Sequence, residues 1–495
     1  MAPFKRLTTR PAPSLTIVLA ALLSCAAPAL VQTPAQAQVQ VQTLAAPDLF
    51  STPAGDTGLG GDLWKDASPG ILRDVLPKLA SRPLSPASAA LARRILATGA
   101  NAPVGVGDDP EMGAARAMAL IVLGDAAGAD AVLDRVPGVA ASPALSLAAA
   151  EAALITGADD KACKIGEALN VERGAAYWLR LRAFCQVLAG QNDAAQLTLN
   201  LALQQTKDGD YARLMSAAVA GAPPNSATGA ANLRNGVNYA LSRKLGLDVQ
   251  SAAAVASASP ALKAVLKPAP LADGTDLTAA QGSAVAALRA AKGLAAFSDV
   301  ARSSSAVIAA LARADAPLED PVLLARAALA AGDLATARTI RGKLTGDTIP
   351  GASPLDLALL DAALAAAEGK QDAQVLDGLI ERGAQGGAKS PAQPAAILLA
   401  ALGGAMGPEA RAQFVTFDPG KPAASATRLT VLDDSAVAGR KGETALLALS
   451  VAAEAGAAGP TPVDRARLVR ALLKAGLDAD ARALALEGLL ALQVK

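Results

Sequence analysis

Histidine is absent from all 495 residues. That excludes His-based triads, His general bases, H-E-x-x-H metal sites and haem held by a His ligand. Aromatic side chains are nearly absent too, with two Trp, three Tyr and six Phe making 2% of the chain. Platforms for stacking bases or sugars are therefore scarce. Neither sign of charge dominates, at 45 basic against 44 acidic residues. The basic surface that neutralises phosphates is missing, so nucleic-acid binding is not expected. G-x-S-x-G, the Walker loop and the EF-hand loop are not found. Gly105-Val106-Gly107 has no strand pattern before it, and Asp108-Asp109-Pro110 reads as a helix cap with Pro in the first turn. No catalytic residue is assigned, and no cofactor or metal ion is expected.

Cysteine is rare as well, with three in the chain. The first, Cys25, lies in an N-terminal segment in which Lys5, Arg6 and Arg10 precede the apolar run "SLTIVLAALLSCAAPAL". Ala35-Gln36-Ala37 then supplies a small-residue cleavage site, so residues 1–37 read as an export signal removed after Ala37. The alternative is a lipoprotein box at "LLSC", Leu22 to Cys25, with Cys25 acylated as an outer-membrane anchor. Either route delivers the mature chain to an oxidising space without a membrane span, the periplasm in the preferred case. There Cys163 and Cys185 are an even pair and a candidate disulfide. Their midpoint is Gly174 in "NVERGAAY", a turn between two helices, and residues equidistant from such a turn lie at one height.

Apolar residues make 52% of the chain and are mostly Ala, Leu and Val. That favours many thin contacts between closely approaching helices over one large core. A recurring turn organises them. Its pivots are Gly124, Gly157, Gly190, Gly332, Gly369 and Gly476, spaced by 33, 33, 142, 37 and 107 residues, the long gaps lying near multiples of about 36. Five positions after the pivot stands Ala129, Ala162, Ala195, Ala337 or Ala481, with Gln374 the exception. Seven before it stands Ala117, Ala150, Ala183, Ala325 or Ala362, with Val469 the exception. Glycine ends one helix in the left-handed conformation, the next begins, and the small residues let the two press together. Such hairpins cover their apolar faces by stacking.

A small residue, a turn Gly seven later and an Ala five beyond that resemble the tetratricopeptide repeat, most clearly at Gly124, Gly157, Gly190 and Gly332. The resemblance covers about half the mature chain. It lacks the family's large aromatic positions, so another Ala-rich helical solenoid remains open. It implies an all-α solenoid of stacked antiparallel helix pairs that binds a protein or peptide on its concave face. The family's concave offsets fall on Glu111 and Met118, Glu151, Tyr177, Arg180 and Phe184, and Glu319 and Arg326. These are the candidate binding surface. The alternative for "AYWLRLRAFC" is a thick layer of the core, its arginines reaching past it to solvent.

Along the chain, residues 38–66 read as a flexible lead-in and 67–218 as an N-terminal helical-repeat segment. Residues 227–318 form a middle helical segment and 319–414 a second repeat segment. An irregular connector spans 415–440, and helical hairpins, ending in a terminal cap, fill 441–495. The expected function is a non-enzymatic periplasmic scaffold for an unidentified envelope protein or peptide. The alternatives are a cell-wall hydrolase resembling superhelical lytic transglycosylases, or a lipid-anchored outer-membrane adaptor.

Overall fold

The computed structural model describes residues 48–226, 229–253, 257–266, 270–344, 352–370 and 372–494. The export signal and Cys25 lie outside the described residues. Within them the chain is all-α, with no strand.

Helices α1 (Pro69–Ser81) and α2 (Pro86–Ala97) come first. Three hairpins follow: α3 (Pro110–Val122) with α4 (Ala126–Leu133), α5 (Pro143–Thr156) with α6 (Asp159–Ala168), and α7 (Ala176–Leu188) with α8 (Asn192–Gln205). Next come α9 (Gly209–Val219), α10 (Gly236–Lys244) and the short α11 (Val249–Ala253) and α12 (Pro260–Val265). The middle holds α13 (Leu277–Ala290), α14 (Gly293–Ser303) and α15 (Ser305–Arg313). Pairing resumes with α16 (Pro321–Ala330) and α17 (Leu334–Lys343), then α18 (Pro354–Glu368) and α19 (Ala373–Gly386). After α20 (Ala392–Ala401) and α21 (Pro408–Phe414) come α22 (Ala426–Val437) with α23 (Lys441–Ala455) and α24 (Pro462–Lys474) with α25 (Asp478–Ala491).

The six pivot glycines all stand at helix C-termini with φ between +70° and +89°. At each, the glycine N–H returns to the carbonyl three residues back and the next N–H to the carbonyl five back, as in Asp125 to Leu120 and Asp333 to Ala328, both 2.8 Å. This double closure satisfies carbonyls that a helix end leaves open, and it needs the left-handed backbone that glycine adopts without a Cβ penalty. The eleven small residues of the pattern, ten Ala and Val469, are all 0% exposed. The methyl side chains of the ten Ala let paired helices, and successive pairs, approach closely.

The array also returns on itself. Helices α1 and α2 pack against α23, and α2 also packs against α25, which in turn contacts α14, α16, α18 and α20. Helix α23 is accordingly buried from Gly442 through Ala453 without interruption. Carboxylates of the last helices hold the first ones by their N-terminal amides. Glu443 accepts from Ser68 N–H, the N-cap of α1, at 2.6 Å and from Ser435 Oγ at 2.6 Å. Glu487 accepts from Ala87 N–H in the first turn of α2 and pairs with Arg465. Asp480 pairs with Arg94 of α2. Each satisfies an amide or a charge that folding would otherwise strand.

Three sequence expectations change here. The lead-in is packed from Asp48 onward: Phe50, Leu63 and Trp64 are 0%, 2% and 3% exposed. Arg116 clasps this strap, donating to Leu49 O, Thr52 O and Leu96 O at 2.9 Å and to Thr98 O at 3.2 Å. Gly442 N–H donates to Leu63 O at 3.0 Å, and a Cβ there would meet the Trp64 ring at 2.6 Å. The connector contains a regular helix, α22, whose Leu429, Leu432 and Ala436 are buried. The C-terminal hairpin is a joint and not an outer cap, since α25 buries Leu484, Ala485, Glu487 and Leu490 among its neighbours.

Candidate interaction surface

Two cores exist among the described residues. The larger runs through both ends of the chain. The smaller is built on α5 by α6 to α10, around Trp178, Leu181, Phe184, Tyr211 and Met215. We call this second unit of packing the arm. Helix α7, "AYWLRLRAFCQVL", supplies its bulk, and the Ala-rich neighbours close around it. Cys163 of α6 and Cys185 of α7 are joined as a disulfide, with Cα atoms 5.7 Å apart. The helix pair meets about the loop that holds Gly174, which puts the two cysteines at one height.

The concave-offset residues do not form one surface. Phe184 is 0% exposed and belongs to the arm's core. Glu151 is buried, accepts from Gly236 N–H at the start of α10 at 2.8 Å, and lies beside the Tyr177 hydroxyl. Burial pushes its carboxyl up against the opposing pull of the Gly236 amide and Tyr177. Burial likewise pushes Tyr177 well up, and the Glu151 charge adds to it. Arg180 pairs with Asp208 at 3.1 Å and lies 5.2 Å over the Tyr211 ring. Tyr211 in turn donates to Arg180 O at 3.2 Å. Arg326 is 7% exposed in the larger core, 5.6 Å over Phe297, and burial pulls its guanidinium down to about 10. Met118 packs half-buried on that same core. Glu111, in the first turn of α3, and Glu319, 3.3 Å from Arg289, are the two that face solvent.

The offset rule fails for a physical reason. It presumes an open groove along the first helices of the pairs. Here α10 covers α5, and α14 and α25 cover α16. Arginine and aromatic side chains at those offsets are therefore spent on each other, as the thick-layer alternative for α7 holds for Phe184.

What the arm does present lies elsewhere. Helix α8 turns Ala195, Thr198, Leu199 and Ala202 inward. Its opposite side shows Leu197 at 65% and Leu201 at 45% exposure, one helical turn apart, beside the hydrogen-bonded amides of Gln196 and Asn200. Asp193 is the single charged residue in the whole helix. A solvent-facing helix this poor in charge is unusual, and contiguous apolar surface rimmed by polar groups marks contact sites. At the α5–α6 turn an open cleft of about 620 Å³ is lined by Gly157, Asp159, Asp160, Lys161, Lys164 and Leu188. Burial there pushes the Asp159 carboxyl up in spite of Arg243, paired with it at 2.7 Å. Lys161 bridges to Asp130 at 2.8 Å. The offsets did not point to Leu197 and Leu201, although "QLTLNLALQQ", with no charge in it, carried the signal.

No family model, no curated protein and no solved structure matches the chain. Among the described residues no single helix is long and apolar enough to cross a membrane, and no group of three or more Cys, Asp or Glu is arranged to hold a metal ion.

Proposed function

We propose that the chain is a non-enzymatic, tetratricopeptide-like scaffold of the bacterial periplasm, which holds an envelope protein through the outer face of its arm. The exposed Leu197–Leu201 pair on the uncharged side of α8 carries this reading. Repeated hairpins joined at left-handed glycines support the repeat class, and a disulfide in the same unit supports an oxidising compartment. The site differs from the groove that the family resemblance implies. Aliphatic side chains one turn apart, flanked by amides, suit an apolar helix face of a partner.

The test is site-specific photocrosslinking in cells from positions 197 and 201, with Val415, which is 80% exposed on another part of the molecule, as control. The reading requires one protein captured from both α8 positions, not from 415, and lost in an L201D variant probed from position 197. Failure to capture it, or equal capture from position 415, refutes the surface.

A further inference from the structure

We infer that the Cys163–Cys185 bridge is a redox latch on one helix, so that a dithiol reductant loosens α6 while the larger core stays folded. Helix α6, "DDKACKIGEA", has five charged residues among ten and one fully buried side chain, Ala162. Helix α23 by contrast is buried through twelve consecutive residues. Apolar packing of α6 is confined to one side, where it lies along α5 with Ile165 half-buried and Leu169, its C-cap, 0% exposed. Gly166 seats on α7, where a Cβ would come 3.2 Å from Leu181. Lys161 pairs with Asp130, and Asp159 with Arg243, all four side chains being between 20% and 31% exposed. Pairs as exposed as these contribute little. The covalent link thus reinforces a helix that buries little of its own surface, and it closes a loop of 22 residues within the arm.

Both cysteines are half-buried and neither lies in the fully buried part of the core. Exchange proceeds by attack of one thiolate of the dithiol on a bridge sulfur, giving a mixed disulfide and releasing the other cysteine. The second thiol of the reductant then closes on its partner sulfur. Two electrons and two protons pass to the protein, Cys163 and Cys185 become thiols, and the reductant leaves as a disulfide. Loosening α6 uncovers apolar side chains of α7, Trp178 and Leu181, and removes the Asp159–Lys164 wall of the cleft. The effect stays local because these belong to the smaller core. It holds whether or not α8 binds a partner.

Amide hydrogen exchange of the full chain with and without dithiothreitol, in the absence of denaturant, tests the latch. Protection across 159–169 should fall by about a hundredfold, while peptides from α20 and α23 keep theirs. A C163S/C185S variant should show the reduced pattern without reductant. The proposal is overturned if dithiothreitol leaves the bridge intact, if α6 keeps its protection once both thiols are free, if the loss spreads to α20 and α23, or if the variant retains the oxidised pattern.

Discussion

Replacing Glu487 by Ala tests how the two ends of the chain are joined. Arg465 and Glu487 have side chains 2% and 6% exposed, so solvent screens their attraction little. Glu487 also receives the Ala87 N–H, in the first turn of α2. E487A leaves the guanidinium buried with Leu484 O, at 3.3 Å, as its remaining hydrogen-bond acceptor, and leaves the Ala87 amide without one. Breaking a buried pair from one side costs about 3–5 kcal/mol. The orphaned amide costs about 1–3 kcal/mol on its own, but the two losses share one carboxylate and do not add. A loss of about 4 kcal/mol is expected for E487A. Replacing both partners by apolar residues, R465M/E487L, should recover part of that loss, because no charge is then left buried although the Ala87 amide still lacks its acceptor. Urea denaturation followed by circular dichroism measures both. The reasoning fails if E487A costs less than about 1 kcal/mol, the level of an exposed pair, or if the double variant is less stable than the single one.

Three further outcomes follow from the same geometry. R116M strands two carbonyls of the strap and two at the end of α2 and should cost about 3 kcal/mol, with proteolysis newly admitted between residues 48 and 66; an unchanged cleavage pattern contradicts the clasp. G332A meets open space at φ +84° and should lose only about 1–2 kcal/mol of stability to backbone strain, whereas in G124A, at φ +89°, the added Cβ also overlaps Ala264, so its melting temperature should fall further; equal losses contradict this. The Glu151 carboxyl is raised in the folded state, so the folded chain binds that proton more tightly than the unfolded one. Its contribution is full below the ordinary carboxyl value of about 4.3 and is lost as pH rises through the raised one. Wild type should therefore lose stability relative to E151Q across that rise, read from urea midpoints at successive pH values, and a constant difference argues against it.

The hairpin joints were legible because their physics is local. A left-handed turn demands Gly, a close crossing demands Ala five after and seven before it, and both requirements lie within one short window, as at Gly157 with Ala150 and Ala162. The Cys163–Cys185 pairing was legible for a similar reason, since its geometry follows from one turn at Gly174. The return of the array was not. Ser68 meets Glu443 across 375 positions and Ala87 meets Glu487 across 400, and no periodicity reports on such a meeting. The strap misled through its Pro and Gly content, although Phe50 and Trp64, two of the few aromatics, stand in it. In α22 the β-branched Thr430 and Val431, after a Pro-rich approach, hid a helix. The offset rule placed Phe184 and Arg326 on a surface because it supposes an open row; the neighbours that cover them come from other parts of the chain.

The return of the array bears on how the protein matures. In an open row each unit needs only its neighbour, and order can spread from wherever it starts. Here α1 and α2 pack on α3 but also on α23 and α25, so part of their apolar surface stays uncovered until those distant helices have been made. Contacts that far apart along a polymer form slowly. Delay of that kind leaves a partly made polypeptide with apolar helix faces open to a chaperone or to aggregation while the rest is being added.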